Sequence, residues 1–172
     1  MKRHQLEHVL RAAGAIVAVA DLIVIGSQAV LGWSDSPPAA LLASLEVDIY
    51  PRYAPELANV IDGTIGELSP FHETFGYYAH GVAPETATLP EGWEDRLIGL
   101  SNENTNGVTG WCLHPVDIAI SKLAAGRPKD LSYVCALIES VGIDCEELKR
   151  LASTLDESAK GPVLGRISRL GL

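Results

Sequence analysis

Two carboxylates stand two residues apart in the apolar stretch SLEVDIYP, at Glu46 and Asp48. In a β-strand, residues two apart point to the same face, so both side chains leave the strand on one side. Two negative charges this close are costly unless water, a base or a cation offsets them. Carboxylate oxygens suit Mg²⁺, which keeps positions open for water and substrate phosphates. The pair predicts either a divalent-cation site or the solvent-facing edge of an amphipathic strand.

A glycine and a serine, Gly26 and Ser27, directly follow the short apolar run DLIVI. Because Gly26 has no Cβ, a ligand can approach its backbone closely. Ser27 would stand at the start of the next helix, where free N–H groups and the helix dipole attract phosphates. The dipeptide is also typical of a glycine turn followed by a serine helix cap. Taken with the carboxylate pair, it predicts metal-assisted chemistry on a nucleotide.

Three basic residues, Lys122, Arg127 and Lys129, lie in or just after a predicted helix in the stretch SKLAAGRPKD. Lys122 lies off the apolar stripe of that helix, and the other two follow its end. If they face the same cleft as the carboxylates, they can hold phosphate groups or an acceptor. The alternative is that they are cations favoured near a helix C-terminus, with Lys129 and Asp130 simply solvated.

The apolar periodicity along the chain predicts the elements that position these side chains. Short β-branched or alternating runs predict five strands, DLIVI, LEVDIY, GYYAHGV, RLIGLS and VTGWCL, the last two joined by the polar hairpin loop NENTNG. Helical spacing predicts a first helix ended by Gly14, a short helix at SQAVLGW, and a helix at PELANVIDGTIGEL with Leu57, Val60 and Ile61 on one face. Three helices follow His114, with stripes Val116/Ile120/Leu123, Leu131/Val134/Cys135/Ile138 and Leu148/Leu151/Leu155.

This order of elements predicts an α+β fold, with an α/β core in residues 1–114 and a helical C-terminal region in residues 115–172 packed on it as a single domain. The 172 residues are 47% hydrophobic and 20% charged, as in globular proteins. The formal net charge of −9 argues against broad, charge-driven nucleic-acid binding.

The longest apolar stretch, residues 12–25, contains Asp21 and is shorter than the roughly 20 residues that a bilayer span needs. The first residues lack a signal-peptide cleavage pattern, and three cysteines without framework spacing favour reduced thiols. We therefore expect a cytoplasmic protein with no membrane association.

The succession of strand, Gly26-Ser27, short helix, loop and acidic strand resembles the nucleotidyltransferase fold of the polymerase-β superfamily. The stretch LHPVDIAISKLAAGRPKD further resembles the small bacterial branch around the AbiEii toxins, and the likeness covers residues 20–140. The resemblance implies a mixed sheet with flanking helices. It implies that Ser27 contacts a nucleoside triphosphate (NTP), and that Glu46 and Asp48 bind Mg²⁺ or Mn²⁺ and carry the catalysis. It also implies that Gly26, Lys122, Arg127 and Lys129 help to bind the nucleotide.

Active members of that superfamily carry a third carboxylate on a later strand, where GYYAHGV offers Tyr77, Tyr78 and His80 instead. We therefore expect NTP binding with weak autonomous transfer of a nucleotidyl group to an RNA or protein acceptor. If activity is needed, Asp95 or Asp117 would have to supply the missing acid. The alternatives are a nucleotide-binding or toxin–antitoxin component that acts with a cognate protein partner, or an interaction domain without a nucleotide site.

Overall fold

The computed structural model describes residues 1–171 and contains one mixed five-stranded sheet. The strands are β1 (Asp21–Ile25), β2 (Glu46–Pro51), β3 (Tyr78–Gly81), β4 (Ile98–Leu100) and β5 (Thr109–Cys112). Their order in the sheet is β3-β2-β1-β5-β4. β1 runs antiparallel to β2 and parallel to β5, whereas β2–β3 is parallel and β4–β5 antiparallel. All five predicted strands are present, and the α+β fold class with a mixed sheet is confirmed.

Eight α-helices lie within the described residues, and four of them follow residue 114. They are α1 (Arg3–Val17), α2 (Val30–Trp33), α3 (Ala58–Ile65), α4 (Pro70–Phe75), α5 (Pro115–Ala125), α6 (Pro128–Val141), α7 (Cys145–Ala152) and α8 (Glu157–Arg169). A 3₁₀ turn at Ser27–Ala29 leads into α2. None of the helices in residues 1–171 is long and apolar enough to cross a membrane.

One hydrophobic cluster joins the sheet to the C-terminal helices. It contains strand residues such as Val24 and Ile49 together with Ile120 of α5, all three fully buried. The predicted α5 stripe of Val116, Ile120 and Leu123 is buried as expected. Gly126, at φ 66°, ends α5 in the left-handed conformation that glycine adopts without strain. The helical region therefore shares its apolar core with the sheet.

The register of the strands fixes which polar residues meet. Ile25 of β1 lies opposite Asp48 of β2, so the C-terminal end of β1 adjoins the N-terminal end of β2. On the other side of β2, Asp48 lies opposite His80 of β3. The turn that follows β1 therefore stands beside the carboxylates that begin β2.

Several local predictions are wrong. α1 passes through Gly14 and ends where Ala18 adopts a left-handed conformation and donates its N–H to the Gly14 carbonyl. In α3, Val60 is 46% exposed while Ile61 and Ile65 are buried, because the sheet covers only one side of this short helix. The sequence analysis did not predict α4 or α8; Pro162 lies inside α8 and obscures its pattern.

The predicted stripe of α6 is displaced. Tyr133, Val134 and Leu137 are the buried apolar residues, whereas Leu131 and Ile138 are only partly covered. The buried face of α6 includes Asp130, so it lies about one position earlier along the helix than a face chosen from apolar residues alone.

Candidate functional site

A cleft of about 600 Å³ opens between the N-terminal end of β2, which carries Glu46 and Asp48, and the start of α6. It is lined by six of the seven predicted site residues, namely Ser27, Glu46, Asp48, Lys122, Arg127 and Lys129. The seventh, Gly26, lines a smaller lobe of about 210 Å³. Asp48, Lys122 and Arg127 line both lobes, so the two spaces adjoin. The structure thus brings the predicted residues together around one two-lobed cleft.

The two carboxylates of β2 face this cleft, and each has one oxygen engaged by β3. The Tyr78 hydroxyl donates to Glu46 Oε2 at 3.1 Å, and His80 Nδ1 lies 2.8 Å from Asp48 Oδ1. Burial raises the pKa of Asp48 more than the hydrogen bond from His80 lowers it, and the charge of Glu46 raises it further. Burial and the nearby Glu46 also raise the pKa of Tyr78 to about 12, so this phenol stays protonated and donates.

The position of the Asp48 carboxylate leaves no room for a side chain at Gly26. Its backbone has φ 73° and ψ −162°, a conformation that essentially only glycine adopts. A Cβ at this position would collide with Asp48 Oδ2. The missing side chain is therefore what allows Asp48 to reach the junction of the two lobes.

Ser27 is the first residue of the 3₁₀ turn after β1, and a residue of α6 contacts its backbone. The Tyr133 hydroxyl donates to the Ser27 carbonyl at 2.7 Å, and burial raises the pKa of Tyr133, so this donor keeps its proton. Within residues 1–171, the Ser27 hydroxyl makes no hydrogen bond of its own. It is free to contact a ligand in the larger lobe.

The cations of the cleft are organised by a buried carboxylate. Asp130, 1% exposed, lies 3.2 Å from Lys122 Nζ and 2.5 Å from Arg127 Nε. Burial alone would raise the pKa of Asp130, but the hydrogen bond from Arg127 and the charge of Lys122 hold it below its ordinary value. The expectation that Asp130 is solvated is wrong, whereas Lys129 is exposed at the cleft rim.

The two carboxylates of the site could supply some, but not all, of the oxygen ligands that a hard cation such as Mg²⁺ needs. Glu46 Oε1 and Asp48 Oδ2 remain available, and Mg²⁺ is commonly held by one or two carboxylates plus phosphate oxygens and water. Within residues 1–171 there is no cluster of three or more potential metal-ligating side chains. A cation here would therefore depend on a bound phosphate for the rest of its ligands.

Neither suspected substitute for the third acid lines the cleft. Asp117 is fully buried and paired with Arg96, whose Nη2 lies 2.7 Å from Asp117 Oδ1. Asp95 lines a separate groove. His80, at the register position opposite Asp48, and Tyr78 are the side chains that β3 contributes to the site.

Sequence alone assigned no role in the site to three residues around the cleft: Tyr78, Asp130 and Tyr133. Tyr78 could have been found, because it alternates with His80 on the same strand face, as Glu46 does with Asp48. Tyr133 carries no comparable signal, since its partner is the Ser27 carbonyl in another element, and the burial of Asp130 depends on Lys122 of α5.

The fold and the cleft together define a nucleotidyltransferase-like protein. A family model described as "Nucleotidyltransferase of unknown function (DUF6036)" matches residues 4–161 of the 172-residue chain, and the chain belongs to this family. No curated protein and no solved structure matches the chain.

Proposed function

We propose that this protein binds a nucleoside triphosphate with Mg²⁺, or Mn²⁺ in its place, and transfers the nucleotidyl group slowly to an acceptor hydroxyl. The observation that carries the proposal is the convergence of Ser27, two carboxylates and three cations on one cleft. Phosphates need cations and hydroxyl or N–H donors, and the carboxylates need a cation to offset their charge. A metal-bound triphosphate satisfies both groups at once.

Each group has a role in this proposal. Ser27 and the backbone after Gly26 contact the triphosphate, and Lys122, Arg127 and Lys129 offset its charge. Glu46 and Asp48 would hold Mg²⁺, which supplies charge stabilisation at the phosphates when bound. Asp130 positions Lys122 and Arg127 and does not itself touch the nucleotide.

In the transfer, the acceptor oxygen forms a bond to the α-phosphorus while the bond from that phosphorus to the bridging oxygen breaks. Pyrophosphate leaves with the bonding electrons. Asp48 accepts the Nδ1–H of His80, which leaves Nε2 as the basic nitrogen of the ring. The acceptor's proton passes to this nitrogen or to solvent. A fixed general base typically contributes 10²–10⁴-fold. We propose slow transfer because β3 presents His80 beside Asp48 and no third carboxylate, and a neutral imidazole adds no negative charge to hold the cation.

The first experiment is thermal unfolding with ATP, GTP, CTP and UTP, each with and without Mg²⁺. A ligand at about 100 times its Kd stabilises the folded state by about 2.7 kcal/mol. We expect at least one triphosphate to raise Tm in a Mg²⁺-dependent way, and Asp48→Asn to abolish the rise. No rise with any triphosphate, or an equal rise in Asp48→Asn, would refute the proposal.

A second candidate function is nucleotide binding without transfer, in a toxin–antitoxin pair of the AbiEii type with a cognate protein partner. The observation that favours it is the imidazole of His80 beside Asp48 in place of a carboxylate. Incubation with α-labelled NTP, Mg²⁺ and separated RNA and protein fractions of a cytoplasmic extract distinguishes the two. Label in either fraction supports transfer, whereas NTP binding with no label supports the second function.

A further inference from the structure

Tyr133 of α6 contacts two other elements of the cleft. Its hydroxyl donates to the Ser27 carbonyl in the turn after β1 at 2.7 Å, and Lys122 Nζ of α5 lies 4.6 Å from the centre of its ring. The side chain is 8% exposed and lines the larger lobe together with Ser27 and Lys122. One rigid phenol therefore links two of the groups that the proposed function assigns to the triphosphate.

The hydroxyl supplies a constraint that the turn after β1 does not provide for itself. Gly26 leaves the backbone before Ser27 free to rotate, because glycine has few steric limits. The side chain of Gln28 is buried, but neither its Nε2 nor its Oε1 has a hydrogen-bond partner within residues 1–171. Among the same residues, the bond from Tyr133 is the one side-chain hydrogen bond to residues 26–29. Without it, Ser27 would be free to turn away from the larger lobe.

The ring of Tyr133 acts on Lys122. A cation within about 6 Å of the centre of an aromatic ring is attracted to its π face, and Lys122 Nζ meets this condition. The same nitrogen lies 3.2 Å from Asp130 Oδ1. Because an ammonium group carries three N–H donors, the ring and Asp130 can hold it in place while other donors stay available for phosphate oxygens.

We propose that Tyr133 is a positioning residue for the polyphosphate chain. It fixes Ser27 through its hydroxyl and Lys122 through its ring, so that both groups are ordered before the ligand arrives. Groups that are already ordered lose less conformational freedom on binding, and this raises affinity. The inference rests on the proposed function, in which Ser27 and Lys122 bind the triphosphate.

The test is isothermal titration calorimetry of two probes with Mg²⁺: inorganic tripolyphosphate, and the nucleoside triphosphate that raises Tm most. Tyr133→Phe keeps the ring over Lys122 and removes the hydroxyl. We expect it to weaken binding of both probes by about two- to tenfold, the usual range for one hydrogen bond. Tyr133→Leu removes the ring as well, and its loss should be larger.

Tyr77→Phe is the matched control. Tyr77 is 7% exposed, its hydroxyl lies 2.8 Å from His8 Nδ1, and it does not line the cleft. This variant also removes a hydrogen-bonded hydroxyl from a buried tyrosine, so urea unfolding should show a loss of stability similar to that of Tyr133→Phe. Its binding of both probes should be unchanged.

Double-mutant cycles separate positioning from a general loss of structure. If the hydroxyl acts through Ser27, Tyr133→Phe should weaken probe binding less in a Ser27→Ala background than in the unmodified protein. If the ring acts through Lys122, the further loss in Tyr133→Leu should shrink in a Lys122→Met background.

Three results overturn the inference: unchanged probe binding in Tyr133→Phe, an equal loss of binding in Tyr77→Phe, and fully additive losses in either cycle. Failure of the proposed function is distinguishable. In that case the triphosphates give no Mg²⁺-dependent rise in Tm of the unmodified protein, whereas failure of the positioning role leaves that rise intact.

Discussion

Gly26 is the residue at which backbone conformation and site chemistry meet. Its φ of 73° and the contact with Asp48 both exclude a side chain. We predict that Gly26→Ala lowers the free energy of unfolding by about 1–3 kcal/mol, the usual cost of such a strained conformation, and also weakens NTP binding by displacing Asp48. Urea unfolding and an NTP titration measure the two effects.

Gly63→Ala is the control for this substitution. Gly63 lies inside α3 with open space around its Cα, and alanine is favoured over glycine in a helix interior by about 0.5–1 kcal/mol. This variant should be stabilised and should bind NTP normally. A Gly26→Ala protein as stable and as active in binding as the unmodified one would contradict the geometry derived above.

Asp48 should matter more than Glu46 for binding Mn²⁺. Asp48 has the shorter side chain and lines both lobes, whereas Glu46 is one methylene longer and lines only the larger lobe. We predict that Asp48→Asn weakens Mn²⁺ binding by about tenfold or more, equivalent to about 1.4 kcal/mol, and that Glu46→Gln has a smaller effect. Mn²⁺ titrations by electron paramagnetic resonance measure both, and unchanged affinity in Asp48→Asn would rule out this metal site.

The same metal affinity should depend on pH. The pKa of Asp48 is raised above its ordinary 3.8 by burial, and a metal binds the ionised carboxylate. Affinity should therefore be full above the raised pKa and decline as pH falls through it, beginning at a higher pH than for an exposed aspartate. A decline only below pH 3.8 would show that burial does not act on Asp48 as described.

His80 should limit the rate of transfer. It lies opposite Asp48 on β3, the strand on which the resemblance to the polymerase-β superfamily implies a third acid. We predict that His80→Asp raises the rate of label transfer from α-labelled NTP, within the 10²–10⁴-fold range of a positioned base, and that His80→Ala does not. In the absence of metal, His80→Asp should lower Tm because three carboxylates then repel each other, and Mn²⁺ should restore it. Fast transfer by the unmodified protein that depends on Asp48 would contradict this prediction.

At the scale of elements, α5 and α6 are joined across the cleft by one buried carboxylate. Asp130 of α6 binds Lys122 of α5 and Arg127 between them. We predict that Asp130→Asn destabilises the protein by about 1.5–3 kcal/mol at pH 7, the usual contribution of hydrogen bonds to a charged group. Because folding lowers the pKa of Asp130, its contribution is present above pH 3.8 and is lost as pH falls through the lowered pKa, so the difference between the two proteins should shrink in acid.

Urea unfolding of both proteins at several pH values measures this effect. The control is Asp95→Asn, which removes an exposed carboxylate with no ion-pair partner in the described residues and should change stability by less than about 0.5 kcal/mol. Equal effects of the two substitutions would show that Asp130 does not join the helices.

At the scale of the whole molecule, the sheet and the C-terminal helices share one hydrophobic cluster. Trp33, Trp93 and Trp111 all lie before residue 115, whereas most helical residues that dominate far-UV circular dichroism lie after it. We predict that urea transitions followed by tryptophan fluorescence and by circular dichroism coincide, as cooperative unfolding requires. Two separate midpoints would show that residues 115–172 unfold independently.

Local pattern was enough to predict the five strands and the facing of Glu46 and Asp48, because strand periodicity needs no knowledge of neighbours. The boundaries of α1 and the exposed side of α3 were not predictable in this way. They depend on a left-handed residue after the helix and on which side the sheet covers.

What only the tertiary structure decided is the neighbourhood of those carboxylates. The antiparallel pairing of β1 with β2 brings Gly26 and Ser27 beside them, and the parallel pairing of β2 with β3 sets His80 against Asp48. The sequence of a strand specifies which side chains share a face, but the partner strand and its register are chosen by contacts between segments distant in the chain. The burial of Asp130 between Lys122 and Arg127 likewise depends on how α5 and α6 pack, which no periodicity records.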